Sequence, residues 1–178
     1  MDNTAFENGV ADLQKSIDVC FERRLLLPSM VLQYSAIDIL ASLDAIDGNG
    51  STRKNFLAWV NSFLLPGSPL KATAEDLYSS RCALVHAYSF DSDQTRRQKA
   101  RQVYYWWGGA NDLLADDLST VQSGKAVNVR MEHLLDAFRK AVVGFRVALS
   151  ADAERAQRVY SRASNQFYAH VAVQRSAT

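Results

Sequence analysis

The stretch Met131-Glu132-His133-Leu134-Leu135-Asp136-Ala137-Phe138-Arg139-Lys140-Ala141-Val142-Val143-Gly144-Phe145-Arg146-Val147-Ala148-Leu149 decides the fold class. Its large apolar residues, Met131, Leu134, Leu135, Phe138, Val142, Phe145 and Leu149, recur at three- and four-residue steps and so line one face of a helix. The same period runs outward from it. Ala156, Val159, Tyr160, Ala163, Phe167 and Val171 predict a last helix, and Phe6, Val10, Leu13, Ile17, Cys20 and Phe21 a long first one. Pro28 suits the first turn of a second helix, where its missing N–H is no loss. That helix carries Met30, Val31, Tyr34, Ile37, Asp38, Ala41 and Ala45 and ends before Gly48-Asn49-Gly50.

Ser51 or Thr52 can cap a third helix whose face is Phe56, Val60, Phe63 and Leu64, and Pro66-Gly67-Ser68-Pro69 stops it. A fourth begins at Thr73, with Asp76 three residues on as a capping box. Leu77, Arg81, Leu84 and Tyr88 form one side of it. Residues 91–130 break the pattern. Gln102-Val103-Tyr104-Tyr105-Trp106-Trp107, halted by Gly108-Gly109, has strand-like content and can pair with Ala126-Val127-Asn128-Val129-Arg130. The expectation is an all-α helical bundle, one domain over residues 1–178, with an irregular insertion at about 91–130 and a small two-stranded ribbon near 102–130.

The chain has 178 residues, 48% of them hydrophobic and 22% charged, the usage of a folded protein rather than a disordered one. At this length roughly 70% of the unfolded surface is buried on folding. With 20 Lys+Arg against 19 Asp+Glu, bulk electrostatics do not drive it onto nucleic acid. Met1–Glu7 has neither a basic start nor an apolar core, and the richest apolar stretch, Leu25–Leu32, is too short to span a bilayer and contains Pro28. Cys20 and Cys82 stand far apart. Reduced thiols in a cytoplasmic protein, with no membrane partner, are expected. His86, His133 and His170 lack the spacing of metal ligands, and no metal or cofactor is expected.

Chemistry is concentrated in Asp76-Leu77-Tyr78-Ser79-Ser80-Arg81-Cys82-Ala83-Leu84-Val85-His86-Ala87-Tyr88, an Arg-x4-His-x-Tyr pattern on the fourth helix. In this motif and its helical setting the chain resembles the HEPN superfamily, the higher eukaryote and prokaryote nucleotide-binding domains. The resemblance implies a HEPN-like helical bundle acting as a metal-independent endoribonuclease, with two copies of the motif meeting across a homodimer interface. It implies Arg81 and His86 as the catalytic pair. It also implies Tyr88 as a substrate contact or as the tyrosine adenylylated by a small nucleotidyltransferase antitoxin, in a toxin–antitoxin or defence setting. The residue after the motif arginine, commonly polar in active members, is Cys82 here, which suits the superfamily's non-catalytic binding modules.

The residue types fit the reaction. RNA supplies its own nucleophile, the 2′-hydroxyl, and an imidazole that titrates near neutrality can take that proton or protonate the leaving oxygen. A permanently charged guanidinium can grip the phosphate through two hydrogen bonds and stabilise added negative charge. Five positions separate Arg81 from His86 by about 140° around a helix. A groove, a bent helix end or a second copy related by a two-fold axis brings them together. Arg81 and Tyr88, seven apart, nearly share a face, as do Ser79 and His86.

Each feature has a plainer reading. Arg81 can pair with a carboxylate and His86 can sit at a helix end in an ordinary bundle. Cys82 reads as packing. Asp38 and Asp44 on the second helix can orient His86 or pair with Arg81, with solvated carboxylates as the simplest case. Arg96, Arg97, Lys99 and Arg101, ahead of Tyr104-Tyr105-Trp106-Trp107, suit a phosphate backbone with stacked bases, or a solvated face followed by core aromatics. Gly48-Asn49-Gly50 reads as a helix connection, and Asp112, Asp116 and Asp117 lack calcium-loop spacing. The alternative to a nuclease is a non-catalytic module binding nucleotide, RNA or protein.

Overall fold

The computed structural model describes residues 2–46, 52–87, 100–108 and 124–168. The helices are α1 (Thr4–Glu22), α2 (Leu26–Asp44), α3 (Arg53–Trp59), α4 (Ala74–Ala87), α5 (Met131–Ala151) and α6 (Ala153–Tyr168). The strands are β1 (Gln102–Trp106) and β2 (Ala126–Arg130). The expected helical bundle with a two-stranded ribbon is therefore the observed architecture. The two strands run parallel, in the register Gln102↔Ala126 to Trp106↔Arg130.

Local signals account for several of the ends. Thr52 caps α3, its Oγ1 accepting from the Asn55 amide at 3.2 Å. Thr73 and Asp76 close the capping box at α4: the Asp76 amide donates to Thr73 Oγ1 at 3.2 Å and the Thr73 amide to Asp76 Oδ2 at 2.9 Å. After α3 the chain widens into a π-helical turn, Val60–Leu64, before Gly67 takes a left-handed φ of 68°. Helix α1 ends in a Schellman arrangement, the Leu25 amide donating to the Cys20 carbonyl at 2.8 Å and the Arg24 amide to that of Phe21 at 3.0 Å. Its left-handed residue is Arg24, at φ 58°, where glycine is the usual choice. The Arg24 guanidinium lies 5.1 Å above the Trp107 ring.

Helix α2 is the centre of the bundle and packs on α1, α3, α4, α5 and α6. Tyr34, Ala36, Ile37 and Leu40 are buried along it, facing Phe6, Ile17, Phe56 and Phe145 of its neighbours within one continuous core. The apolar stretch read above as eight residues belongs to a 19-residue helix, long and apolar enough by itself to cross a membrane. Here more than half of that span is buried inside the bundle, which a central core helix requires. Its last carbonyls are held by Arg162 of α6, which donates to Leu43 O at 3.1 Å and to Ala45 O.

Candidate functional site

Arg81 and His86 both lie on α4, separated by about 7.5 Å of helix rise. Residues 88–99 lie outside the described residues, and with them Tyr88, Arg96, Arg97 and Lys99; so do the His86 side chain, Gly48-Asn49-Gly50, Asp112, Asp116 and Asp117. The described part of the site is thus the Arg81 end of the motif.

Arg81 is held across the α2–α4 contact. Its Nε donates to Asp38 Oδ2, and the two side chains are only 15% and 11% exposed. Burial works against the charge, yet Asp38 beside it outweighs burial and raises the guanidinium's pKa, so Arg81 is permanently cationic. The Cys82 thiol is 4.0 Å from Arg81 Nη1. The plain reading of Asp38 as a solvated carboxylate is overturned, because α2 and α4 pack closely enough to draw it into a shielded ion pair. Asp44 is likewise not free in solvent: Arg155 of α6 grips it at 2.6 and 2.5 Å. Cys82 is half-buried at the edge of this pair rather than part of the core. Tyr78, one turn before it, has its phenol pKa raised by burial and by the neighbouring thiol.

The turn before Arg81 is fastened to the ribbon. Ser80 Oγ lies 2.7 Å from the Tyr105 hydroxyl, which also bonds the hydroxyl of the fully buried Tyr34. Burial pushes Tyr105 up to about 12 and Tyr34 well above the ordinary phenol value, the latter reinforced by Tyr105. A chain of neutral hydroxyls thus ties α2, α4 and β1 together directly beneath the motif. At the first turn of α4, Arg101 anchors the ribbon's entry. It donates to Asp76 from its amide at 2.7 Å, from Nε at 3.0 Å and from Nη2 at 2.6 Å, and to Lys71 O from Nη2 at 2.9 Å. These bonds make Arg101 the residue that seats β1 on α4.

The aromatic run is split rather than wholly core. Tyr105 faces α2 and α4, Trp106 lies under the Arg130 guanidinium at 4.9 Å, and Trp107 is 38% exposed. Among the described residues no three His, Cys, Asp or Glu gather as a metal-binding group. Comparison with protein-family models, with curated proteins and with solved structures finds no match.

The sequence places the motif on a helix and offers Asp38 and Asp44 alike as possible partners for Arg81 or His86, with solvated carboxylates as the simplest case; the pair that forms is Arg81–Asp38. Sequence reading missed the hydroxyl chain and the Asp76–Arg101 anchor. Asp76 was legible as a cap, but not as the acceptor of an arginine 25 positions away.

Proposed function

We propose that this chain is a metal-independent endoribonuclease of HEPN type, cleaving RNA by attack of the 2′-hydroxyl on the adjacent phosphate. The observation that carries this reading is an oriented, permanently charged guanidinium, Arg81, on the same helix as His86 and locked by Asp38. A guanidinium already fixed in place stabilises developing negative charge without reorganising when the phosphate arrives. His86 acts as general acid or base, and Tyr88 serves as a substrate contact or a site of modification. Arg96, Arg97 and Lys99 extend the phosphate-binding surface. Two motifs facing each other in a homodimer overcome the angular separation of Arg81 and His86 on one helix. The setting is a cytoplasmic toxin or defence nuclease, with a small nucleotidyltransferase as antitoxin.

RNA cleavage by wild type in EDTA, abolished in both Arg81→Ala and His86→Ala, is the expected result. Cleavage unaffected by either substitution overturns the reading. The Cys82 thiol at the edge of the Arg81–Asp38 pair favours one other reading, a module that binds RNA or nucleotide without turnover. Saturable binding with no product at any enzyme concentration selects it.

A further inference from the structure

The ribbon leads from the start of α4 toward its far end. Arg101 is bonded to Asp76 in the first turn of α4, and Tyr105 bonds Ser80 further on, so β1 runs beside α4 in the same direction. The rise from Asp76 to His86 is about 15 Å and that from Arg101 to Trp106 about 16 Å. Trp106 and Trp107 therefore reach the end of the bundle at which the last turn of α4 carries His86.

Each of these rings lies under a guanidinium. Arg130 is 4.9 Å from the Trp106 ring centre and Arg24 is 5.1 Å from that of Trp107. Trp107 nevertheless stays 38% exposed, the most open of the three tryptophans, and Arg24 is exposed as well. The backbone around the ring is held in place. Gly108 turns away at a left-handed φ of 64°, its amide donates to Glu132 Oε1 at 3.0 Å, and Glu132 Oε2 accepts from Arg130 Nε at 3.2 Å. Among the described residues no carboxylate pairs with Arg24. Setting Glu22 and Glu132 against Arg23, Arg24 and Arg130 leaves a net positive charge at this end.

Packing does not account for this pair of side chains. Trp107 lies outside the hydrophobic core, and Arg24 holds a left-handed φ of 58° that glycine adopts without strain. An aromatic face open to solvent, edged by a cation that has no carboxylate partner, matches what an unstacked base and its phosphate require. We infer that Trp107, flanked by Arg24, is a stacking subsite for one unpaired base of single-stranded RNA, with the Arg24 guanidinium against a neighbouring phosphate. The subsite rests on the nuclease reading for its ligand and adds a substrate class to it: a strand with a base free to leave its own stack near the motif.

Fluorescence anisotropy of the full chain with 2′-O-methyl strands, which the proposed chemistry leaves uncut, tests this. Wild type should bind a base-bearing single strand about tenfold more tightly than an abasic strand of equal length and charge. Trp107→Ala should bind the two alike, while Trp107→Phe, which keeps a ring face, should retain most of the preference. Binding of a duplex, whose bases stay stacked on one another, should be unchanged by Trp107→Ala. Arg24→Gly should weaken both single strands severalfold yet melt no lower than wild type, because glycine suits the left-handed backbone. Equal binding of base-bearing and abasic strands by wild type, an undiminished preference in Trp107→Ala, an equal loss on the duplex, or no saturable binding at all overturns the inference. His86→Ala separates the two claims, since it should keep the preference for bases while losing cleavage of unmodified RNA. Wild type that cuts RNA without a base preference rejects the stacking subsite and leaves the nuclease; a base preference in a protein that cuts nothing does the reverse.

Discussion

Asp38 and Arg81, 43 positions apart in the chain, form a shielded ion pair across the α2–α4 contact. Removing one takes from the other the opposite charge bonded to it. Asp38→Ala should therefore lower stability by about 3 kcal/mol, because the guanidinium stays in a site that excludes most water. Exchanging both for apolar residues of similar volume, Asp38→Leu with Arg81→Met, should recover much of that loss. Urea unfolding of the two variants checks this; a single variant as stable as wild type contradicts it.

Asp76 makes stability sensitive to acid. Burial raises its pKa, but the bonds from Arg101 and Thr73 more than offset that, and the carboxyl titrates below its ordinary value. The unfolded chain then takes up the proton more readily than the folded one. The contribution is complete above the ordinary carboxylate range and fades as pH falls through the lowered folded value. Asp76→Asn should lose about 2 kcal/mol at neutral pH. In thermal melts its deficit against wild type should shrink below about pH 4.

The hydroxyl chain sets a limit at the alkaline end. Tyr105, raised to about 12, and Tyr34, raised well above the ordinary phenol value by burial, stay protonated where an ordinary phenol ionises. The folded state holds these protons more tightly than the unfolded chain, so stability is full below about pH 10 and declines as pH rises through the folded values. Phenolate absorbance should show Tyr34 and Tyr105 ionising only with loss of helix. Tyr105→Phe, which leaves Tyr34 and Ser80 without their shared partner, should lower stability by about 1–2 kcal/mol.

Two helical glycines should respond oppositely to alanine. A Cβ at Gly144 meets only Phe63 Cδ1, at 3.8 Å, so Gly144→Ala should stabilise α5 by up to about 1 kcal/mol through helix propensity. A Cβ at Gly9 falls 2.4 Å from Phe167 Cγ, where α1 and α6 touch. Overpacking there exceeds the propensity gain, and Gly9→Ala should be destabilising by about 1 kcal/mol. Thermal melts of the two variants should move in opposite directions.

What the sequence disclosed follows the range of the interactions. The apolar period of Met131–Leu149, the Thr52 cap and the Thr73–Asp76 box are written within four residues of one another and were readable as such. The ribbon was readable from the content of Gln102–Trp106 and Ala126–Arg130, but its parallel direction depends on how the chain passes between them. Asp44 and Arg155 lie 111 positions apart, and their pairing depends on how α2 and α6 pack. Arg24 in a left-handed conformation leaves no signal in its residue type, since glycine is the usual choice there, and its contact with the Trp107 ring joins residues far apart in the chain. The Arg81–His86 pattern was legible as a motif, and its local frame became visible only when α2, α4 and β1 were set together.

The most direct test of the proposed chemistry compares an RNA strand with its fully 2′-O-methylated counterpart in EDTA, using wild type and His86→Ala. Wild type is predicted to cut only the unmodified strand and leave 2′,3′-cyclic phosphate ends, while His86→Ala cuts neither. Cleavage of the methylated strand, or undiminished cleavage by His86→Ala, would contradict it.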